Sequence, residues 1–545
     1  MKHAFLLHQL VALTAQKMPE RAALSYLGEQ LSYAELDALI NGFAGAIAAA
    51  RCERQSRVAV FQEKRFEFVV ACFGAAAAGS VFVPLNPVLK PPQVAHILND
   101  CSARVLVTSK SRLAQLGEAL SSCPQLRHIV VVDVGDGAAP QPPTAFLRVH
   151  DWADFSEVYD GGAAAIAQVI DTDMAAILYT SGSTGKPKGV VLSHRNMVCG
   201  AKSVAEYLEN SAQDTLLAAL PLSFDAGFSQ LTTAFHSGAQ VAMINYLLPR
   251  DILKAMARYR VTGLTAVPPL WIQLAHLDWP AEVSANLRYF ANTGGRLPLE
   301  ILARLRAVLP NTRPFLMYGL TEAFRSTYLP PEEIDRHPDS IGRAIPNAEI
   351  LVLRENGTLC ADDEPGELVH RGALVGMGYW NDAEKTAERY RVLPADLRES
   401  GLTLPETAVF SGDVVRRDKD GLLYFIGRRD EMIKTSGYRV SPTEVEEVLY
   451  SAGFVEEVAA FGVDHPALGQ AIVVVVKLKD GEAHQTERLR NYCTTALPAY
   501  MVPARIELAL TALPRNPNGK IDRKALGASY QDAFTTPGKD HDKPG

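Results

Sequence analysis

Short apolar runs alternate with helix-forming segments through the first three-quarters of the chain. The stretch 68–89 carries no charged residue, yet Gly74, Gly79, Pro84, Asn86 and Pro87 argue against a continuous membrane-spanning helix. It predicts instead a buried helix over 66–78 that turns at Gly79 into the strand Val81-Phe-Val-Pro84. Val58-Ala-Val-Phe61 precedes that helix. Val105-Leu-Val-Thr108 follows a helical segment over 92–99, and Ile129-Val-Val-Val-Asp133 follows another over 112–120. Such alternation predicts crossover units and a mainly parallel sheet. A Gly/Ala/Pro-rich stretch over 135–144 reads as a loop.

The pattern then changes. Glu349-Ile-Leu-Val-Leu353, Gly366-Glu-Leu-Val-His370 and Val409-Phe-Ser-Gly412 read as short strands separated by turn residues such as Asn356-Gly357. Beyond Arg428 the reading is α+β: a helix over 442–451, strands over 455–463 and 471–478, and a helix over 484–497. The fold class expected is α/β. A large multi-subdomain body with mostly parallel sheets and a small β-rich subdomain takes 1–429, and a small α+β C-terminal domain takes 430–528. Residues 529–545, ending in Gly, Lys, Asp and Pro, read as a disordered tail.

Composition narrows the function. Lys plus Arg at 54 against Asp plus Glu at 61 leaves a net charge of −7, which argues against a nucleic-acid partner. The seven cysteines form no C-x-x-C pair and are odd in number, so neither a disulfide framework nor a zinc site is expected, and a cytoplasmic location fits.

The strongest chemical feature is Ala175-Ala-Ile-Leu-Tyr-Thr-Ser-Gly-Ser-Thr-Gly-Lys-Pro-Lys-Gly189. A buried strand runs into a loop dense in glycine, hydroxyl and lysine. Glycines let backbone N–H groups approach an anion, hydroxyls donate further hydrogen bonds, and lysines supply charge, which is how polyphosphate is held. The G-x-x-x-x-G-K-[ST] loop does not fit, because Thr180 replaces its first glycine and Pro187 its final hydroxyl. A Ser/Gly surface turn is the plainer alternative.

Thr180-Ser-Gly-Ser-Thr-Gly-Lys-Pro-Lys-Gly189 resembles the signature of the AMP-forming adenylating superfamily, which holds acyl-CoA ligases, peptide-synthetase adenylation domains and luciferases. Tyr318-Gly-Leu-Thr-Glu322, Gly294-Gly-Arg296, Ser411-Gly-Asp413, Gly427-Arg-Arg-Asp430, Ser436-Gly-Tyr-Arg439 and Pro517-Asn-Gly-Lys-Ile-Asp522 are similar to further family motifs, in the family's order. The resemblance implies an ATP/AMP site made of Thr180, Ser181, Gly182, Ser183, Thr184, Gly185, Lys186, Lys188, Gly294, Gly295, Arg296, Tyr318, Gly319, Asp413 and Arg428. Tyr318 offers a flat ring for adenine, Glu322 a ligand for Mg2+, Thr321 a donor to phosphate, and Asp413 a bidentate acceptor for ribose hydroxyls. Read alone, each has a bland alternative: a core aromatic, a solvated carboxylate, a turn aspartate.

Lys520 sits in a turn-rich loop where a lysine is ordinarily a solvated charge. The resemblance implies a sharper role, bridging substrate carboxylate and α-phosphate, with the small C-terminal domain mobile about a hinge at Asp430. Lys434 and Arg439 are weaker candidates for interface or phosphate contacts. The implied reaction joins a carboxylic acid to a thiol through an acyl-adenylate, with ATP and Mg2+ consumed or required. Coenzyme A or a carrier-protein phosphopantetheine is the acceptor.

The acid pocket departs from the acyl-CoA ligase pattern. Leu220-Pro-Leu-Ser-Phe-Asp-Ala-Gly-Phe228 has Phe224 and Asp225 where those ligases resemble P-L-F-H, and the Phe-Asp pair is similar to peptide-synthetase adenylation domains, whose aspartate holds a substrate ammonium. Asp225 as a helix cap is the alternative. Trp271 is a candidate pocket wall or a core aromatic, with Leu316 and Met317 as a further wall. Residues 318–380 also resemble ligases associated with bacterial exosortase A systems and standalone prolyl–carrier-protein ligases. A phosphotransferase, a non-catalytic nucleotide-binding scaffold and a luciferase-type oxidase are the competing classes. The first would release ADP, and the last would form no thioester.

Overall fold

The structure, a computed structural model, describes residues 3–134, 146–157, 168–180, 187–398, 400–401, 403–429, 431–435, 438–465, 468–479, 486–516 and 519–534. The expected loop over 135–144, the hinge at Asp430 and most of the 529–545 tail fall outside them. The chain divides into two compact units. The first is Met1–Leu297, Leu305–Leu351 and Val369–Ser411; the second is Pro298–Arg304, Val352–Leu368 and Gly412–Gly545.

Two large sheets organise the first unit. One has nine strands in the order Arg343–Ala344, Thr327–Leu329, Arg313–Tyr318, Tyr289–Asn292, Gly263–Ala266, Thr215–Ala218, Gln240–Met243, Ala22–Tyr26, Glu29–Ser32. From Arg313–Tyr318 to Ala22–Tyr26 its neighbours are parallel. The other has eight, in the order Gly378–Tyr379, Lys188–Ser193, Met174–Thr180, Val81–Pro84, Arg57–Phe61, Ala103–Thr108, His128–Val131, Arg148–Asp151. The last six of these are parallel, as the crossover pattern predicts.

One apolar cluster joins both sheets through the helices Tyr33–Ala49, Phe66–Ala77, His194–Tyr207 and Asp225–Ser237. From Phe68 onward the helix Phe66–Ala77 is charge-free and buried, and Phe73 stacks on Phe228 at 5.8 Å, which in turn stacks on Phe82 at 4.8 Å. That burial on all sides is why the segment reads as membrane-like in sequence. Among the described residues no helix is long and apolar enough to cross a membrane. The helix expected over 112–120 is instead Lys110–Leu116 followed by a tighter turn Gly117–Ser122, because Gly117 takes a φ of +44°.

A smaller sheet has the order Ala348–Leu353, Gly366–Gly372, Thr407–Arg417, Tyr390–Val392, with Leu423–Arg428 also paired to Thr407–Arg417. In the second unit, Tyr438–Val440, Ile433–Thr435, Gly469–Leu478 and Val455–His465 form a sheet that Arg505–Leu508 joins in parallel. Helices Pro442–Tyr450 and Thr486–Ala496 cover one face through Val445, Leu449, Leu489 and Cys493. Leu526 of helix Arg523–Ser529 joins Phe461, Val473 and Leu513 on the other. The result is the α/β fold with a C-terminal α+β portion expected from the sequence.

Candidate active site

Strands Met174–Thr180 and Lys188–Ser193 run antiparallel with Thr180 opposite Lys188. Ser181, Gly182, Ser183, Thr184, Gly185 and Lys186 lie outside the described residues. Lys188 begins the returning strand, and its Nζ stands 5.6 Å from the centroid of the Tyr379 ring. Tyr379 pairs with this strand opposite Val190 and donates its hydroxyl to Glu322 Oε1 at 2.5 Å. Burial, and then the neighbouring Glu322 carboxylate, raise the Tyr379 phenol far above its ordinary value, so it stays protonated as a donor. The Glu322 carbonyl accepts from Gly376 N at 2.8 Å and Tyr390 Oη at 3.4 Å. A lysine, a phenol and a fixed carboxylate thus converge at the start of strand Lys188–Ser193, with Thr321 buried in the same short turn as Glu322.

Glu322 also bears on metal binding. Among the described residues no group of three or more His, Cys, Asp or Glu could hold a metal ion. Mg2+ usually takes one or two carboxylates and fills its shell with phosphate oxygens and water. The single fixed carboxylate fits that sparse donor set.

The adenine-side motifs leave the carboxyl ends of neighbouring parallel strands. Ala266 is in register with Asn292, and Asn292 with Leu316, so Val267, Thr293-Gly-Gly-Arg296 and Tyr318-Gly319 emerge side by side. Ligands of open α/β sheets bind at such carboxyl ends. Gly294 turns with a φ of +77°, and Asn292 Nδ2 donates to Gly295 O at 2.8 Å to fix the loop. Tyr318 is half-buried. Trp271 is fully buried, donates Nε1 to Ala291 O at 3.2 Å and packs on Phe290. It sits in the core and does not line the cavity described next.

That cavity is small, about 20 Å³, and is lined by Ala226, Ser229, Gln230, Thr265, Met317 and Arg325 among others. Phe224 is the N-cap of helix Asp225–Ser237 without a side-chain cap bond, and Asp225 is its first residue. Asp225 therefore does not serve as the cap; its Oδ2 lies 3.4 Å from Arg325 Nη1. Two devices hold the segment before it. The buried ammonium of Lys64 donates to the carbonyls of Ala218, Ala219 and Leu220 at 2.9, 2.8 and 3.3 Å, and burial brings its pKa down to about 7. A Cβ on Gly227 would fall 1.9 Å from Pro221 O, so only glycine lets the helix meet this backbone. Gly227→Ala is expected to lower stability by about 1–3 kcal/mol, read as a lower urea midpoint; an unchanged midpoint would contradict the close approach.

In the second unit, Asp413 and Arg428 face each other on paired strands, with Arg428 Nε 3.7 Å from Asp413 Oδ1. Lys434 and Arg439 are likewise directly opposite. Lys520 is exposed in a tight loop: Asn516 N donates to Lys520 O at 2.8 Å and Lys520 N to Asn516 Oδ1 at 3.1 Å. Arg515 clamps that loop, donating to Gly519 O at 2.9 Å and pairing with Glu457 at 2.5 Å. Behind it Asp522 caps helix Arg523–Ser529, and Arg523 pairs with buried Glu446 at 2.6 Å. Pro517, Asn518, Ser436 and Gly437 lie outside the described residues.

Sequence reasoning missed Tyr379, Arg325, Lys64 and Arg515. Tyr379 and Arg325 lie within the 318–380 stretch that carries a family resemblance, but nothing local marks either as a site residue.

Parallel strands delivering phosphate-type and adenine-type loops to their carboxyl ends define a nucleotide-binding α/β protein with an adjoining pocket. Residues 11–380 match the AMP-binding enzyme family, and residues 444–520 match the AMP-binding enzyme C-terminal domain. The chain belongs to the AMP-binding enzymes, the adenylate-forming ligases. It is 28% identical over 538 residues to a long-chain-fatty-acid–CoA ligase of Salmonella typhimurium, covering 94% of this chain and 92% of that one. It is 29% identical over 542 residues to a linear gramicidin synthase of Brevibacillus parabrevis, covering 96% of this chain but only 10% of the synthase. A benzoate CoA ligase from Burkholderia xenovorans LB400 superposes with a TM-score of 0.81 at 26% identity, covering 96% of this chain and 100% of that one. An anthranilate CoA ligase in complex with anthranoyl-AMP shares the fold, with a TM-score of 0.85, 23% identity and 98% of each chain covered.

Proposed function

We propose that the chain is an AMP-forming acid–thiol ligase of the acyl-CoA ligase type. The observation that carries this reading is the meeting of Lys188, Tyr379 and Glu322 at the start of strand Lys188–Ser193. In the first step a carboxylate oxygen of the acid attacks the α-phosphorus of ATP. The bond to the bridging oxygen breaks, and pyrophosphate leaves. Lys188 and the loop amides neutralise phosphate charge, and Glu322, oriented by Tyr379, would hold Mg2+. Bound there, the ion would neutralise negative charge on phosphate oxygens. Tyr318 and Gly294-Gly-Arg296 cradle adenine, Asp413 accepts from the ribose hydroxyls, and Arg428 holds Asp413 in place.

Lys520 neutralises the two anions as they meet, which is where charge concentrates in the transition state. In the second step the sulfur of coenzyme A attacks the acyl carbon and AMP leaves. The C-terminal domain, turning about Asp430, exchanges Lys520 for a thiol path, and enclosure protects the mixed anhydride from water. Acid-dependent ATP–pyrophosphate exchange tests the first step; ADP and phosphate as products would contradict it.

The Arg515 clamp yields a second expectation. Arg515→Ala should slow adenylation about 10- to 100-fold, as expected of a small misplacement of Lys520, and spare thioester formation from supplied acyl-AMP. Equal loss in both steps would place Arg515 in general folding instead.

A second reading is amino-acid or proline-like imino-acid adenylation with loading onto a carrier-protein phosphopantetheine. The Phe224-Asp225 pair favours it, because it is similar to the pair found in peptide-synthetase adenylation domains.

A further inference from the structure

Asp225 brings a negative charge to the start of the helix whose next residues line the cavity, and the chain itself supplies a cation to answer it. Ala226, Ser229 and Gln230, which follow Asp225 on its helix, line the cavity, and so does Arg325. The Arg325 side chain is 3% exposed against 4% for Asp225, with Nη1 3.4 Å from Oδ2. The same Nη1 donates to Phe324 O at 3.3 Å, while Nε has no hydrogen-bond partner among the described residues. The backbone sets this aim. Phe324 holds a φ of +58°, left-handed and strained for a residue with a side chain, and Arg325 N turns back to Ala323 O at 2.6 Å.

We infer that Arg325 takes, from within the chain, the place beside Asp225 that a substrate ammonium would occupy, so that the pocket selects carboxylic acids without an α-ammonium group. The inference rests on the proposed acid activation and narrows its substrate class. A carboxylate already paired attracts an incoming ammonium weakly, and the guanidinium repels that ammonium through a low-dielectric interior. Arg325 is then the specificity-determining residue and Asp225 its counter-ion. Truncating Arg325 while leaving Asp225 ionised would recreate an ammonium site.

The test compares ATP–pyrophosphate exchange with matched acids that differ in the amino group: 3-phenylpropanoate against phenylalanine, cyclopentanecarboxylate against proline. The native chain should use the amine-free partner of each pair. Arg325→Met should move the ratio toward the amino or imino acid by on the order of 100-fold, Arg325→Lys should not move it, and adding Asp225→Asn to Arg325→Met should abolish the gain. Native exchange with the amino acids, or equal shifts in the Met and Lys variants, would overturn the inference. Urea unfolding of the same proteins reads the pair without substrate. Each single variant, Arg325→Met and Asp225→Asn, should lower the midpoint, and the double variant should lower it less than the sum. Strictly additive losses would overturn the pairing. Absence of exchange with every acid in every protein would instead count against acid activation, and the unfolding midpoints would still decide the pairing.

Discussion

Replacing Lys520 with alanine should cut acid-dependent ATP–pyrophosphate exchange by roughly 100- to 1,000-fold, the loss typical when one group aimed at developing transition-state charge is removed. Two anions, the substrate carboxylate and the α-phosphate, must approach within bonding distance, and a lysine is a compact cation on a flexible stem suited to that meeting. Its loop is held by Asn516 and by the Arg515–Glu457 clamp, so the side chain changes while the scaffold stays. Thioester formation from chemically prepared acyl-AMP should be nearly unchanged, because no second anion has to be brought in. Loss of both half-reactions to the same degree would remove Lys520 from a role confined to the first.

Glu322→Gln should have the next largest effect. Glutamine keeps the shape and can still accept from Tyr379, but it forfeits the negative charge on which Mg2+ binding depends. Exchange should fall by about 100-fold, and raising the Mg2+ concentration should recover part of it. Tyr379→Phe separates charge from orientation, since it keeps the carboxylate and removes its donor, a change of about 1 kcal/mol. A Gln variant as active as the native chain at low Mg2+ would show that Glu322 holds no metal.

The crossover body was legible because its strands are short apolar runs bounded by turns, as at Val58–Phe61 and Val105–Thr108, and their periodicity is local. Element ends were less so: Gly117 cuts a helix that composition alone extends, and strand Thr407–Arg417 runs well beyond the four residues recognised in it. The Gly294-Gly-Arg296 motif was legible for the same local reason, being a contiguous turn at a strand end. What stayed hidden is the pairing between motifs. Tyr379 reaches Glu322 across 57 residues, Arg325 reaches Asp225 across 100, and Lys64 reaches the Ala218 carbonyl across 154. No spacing rule connects such residues, since the contacts exist only once two sheets and the helices between them have assembled. Asp225 shows the consequence. From sequence alone it is an ammonium anchor or a helix cap, and the arginine that stands beside it appears only in the assembled core.

The central claim is that acid activation ends on a thiol. The most direct measurement incubates the full-length chain with ATP, Mg2+, coenzyme A and the amine-free acid that best supports pyrophosphate exchange, and counts AMP against acyl-CoA by mass spectrometry. The account predicts one acyl-CoA for each AMP, with no ADP. AMP released without a coenzyme A thioester, at a rate indifferent to coenzyme A, would contradict it.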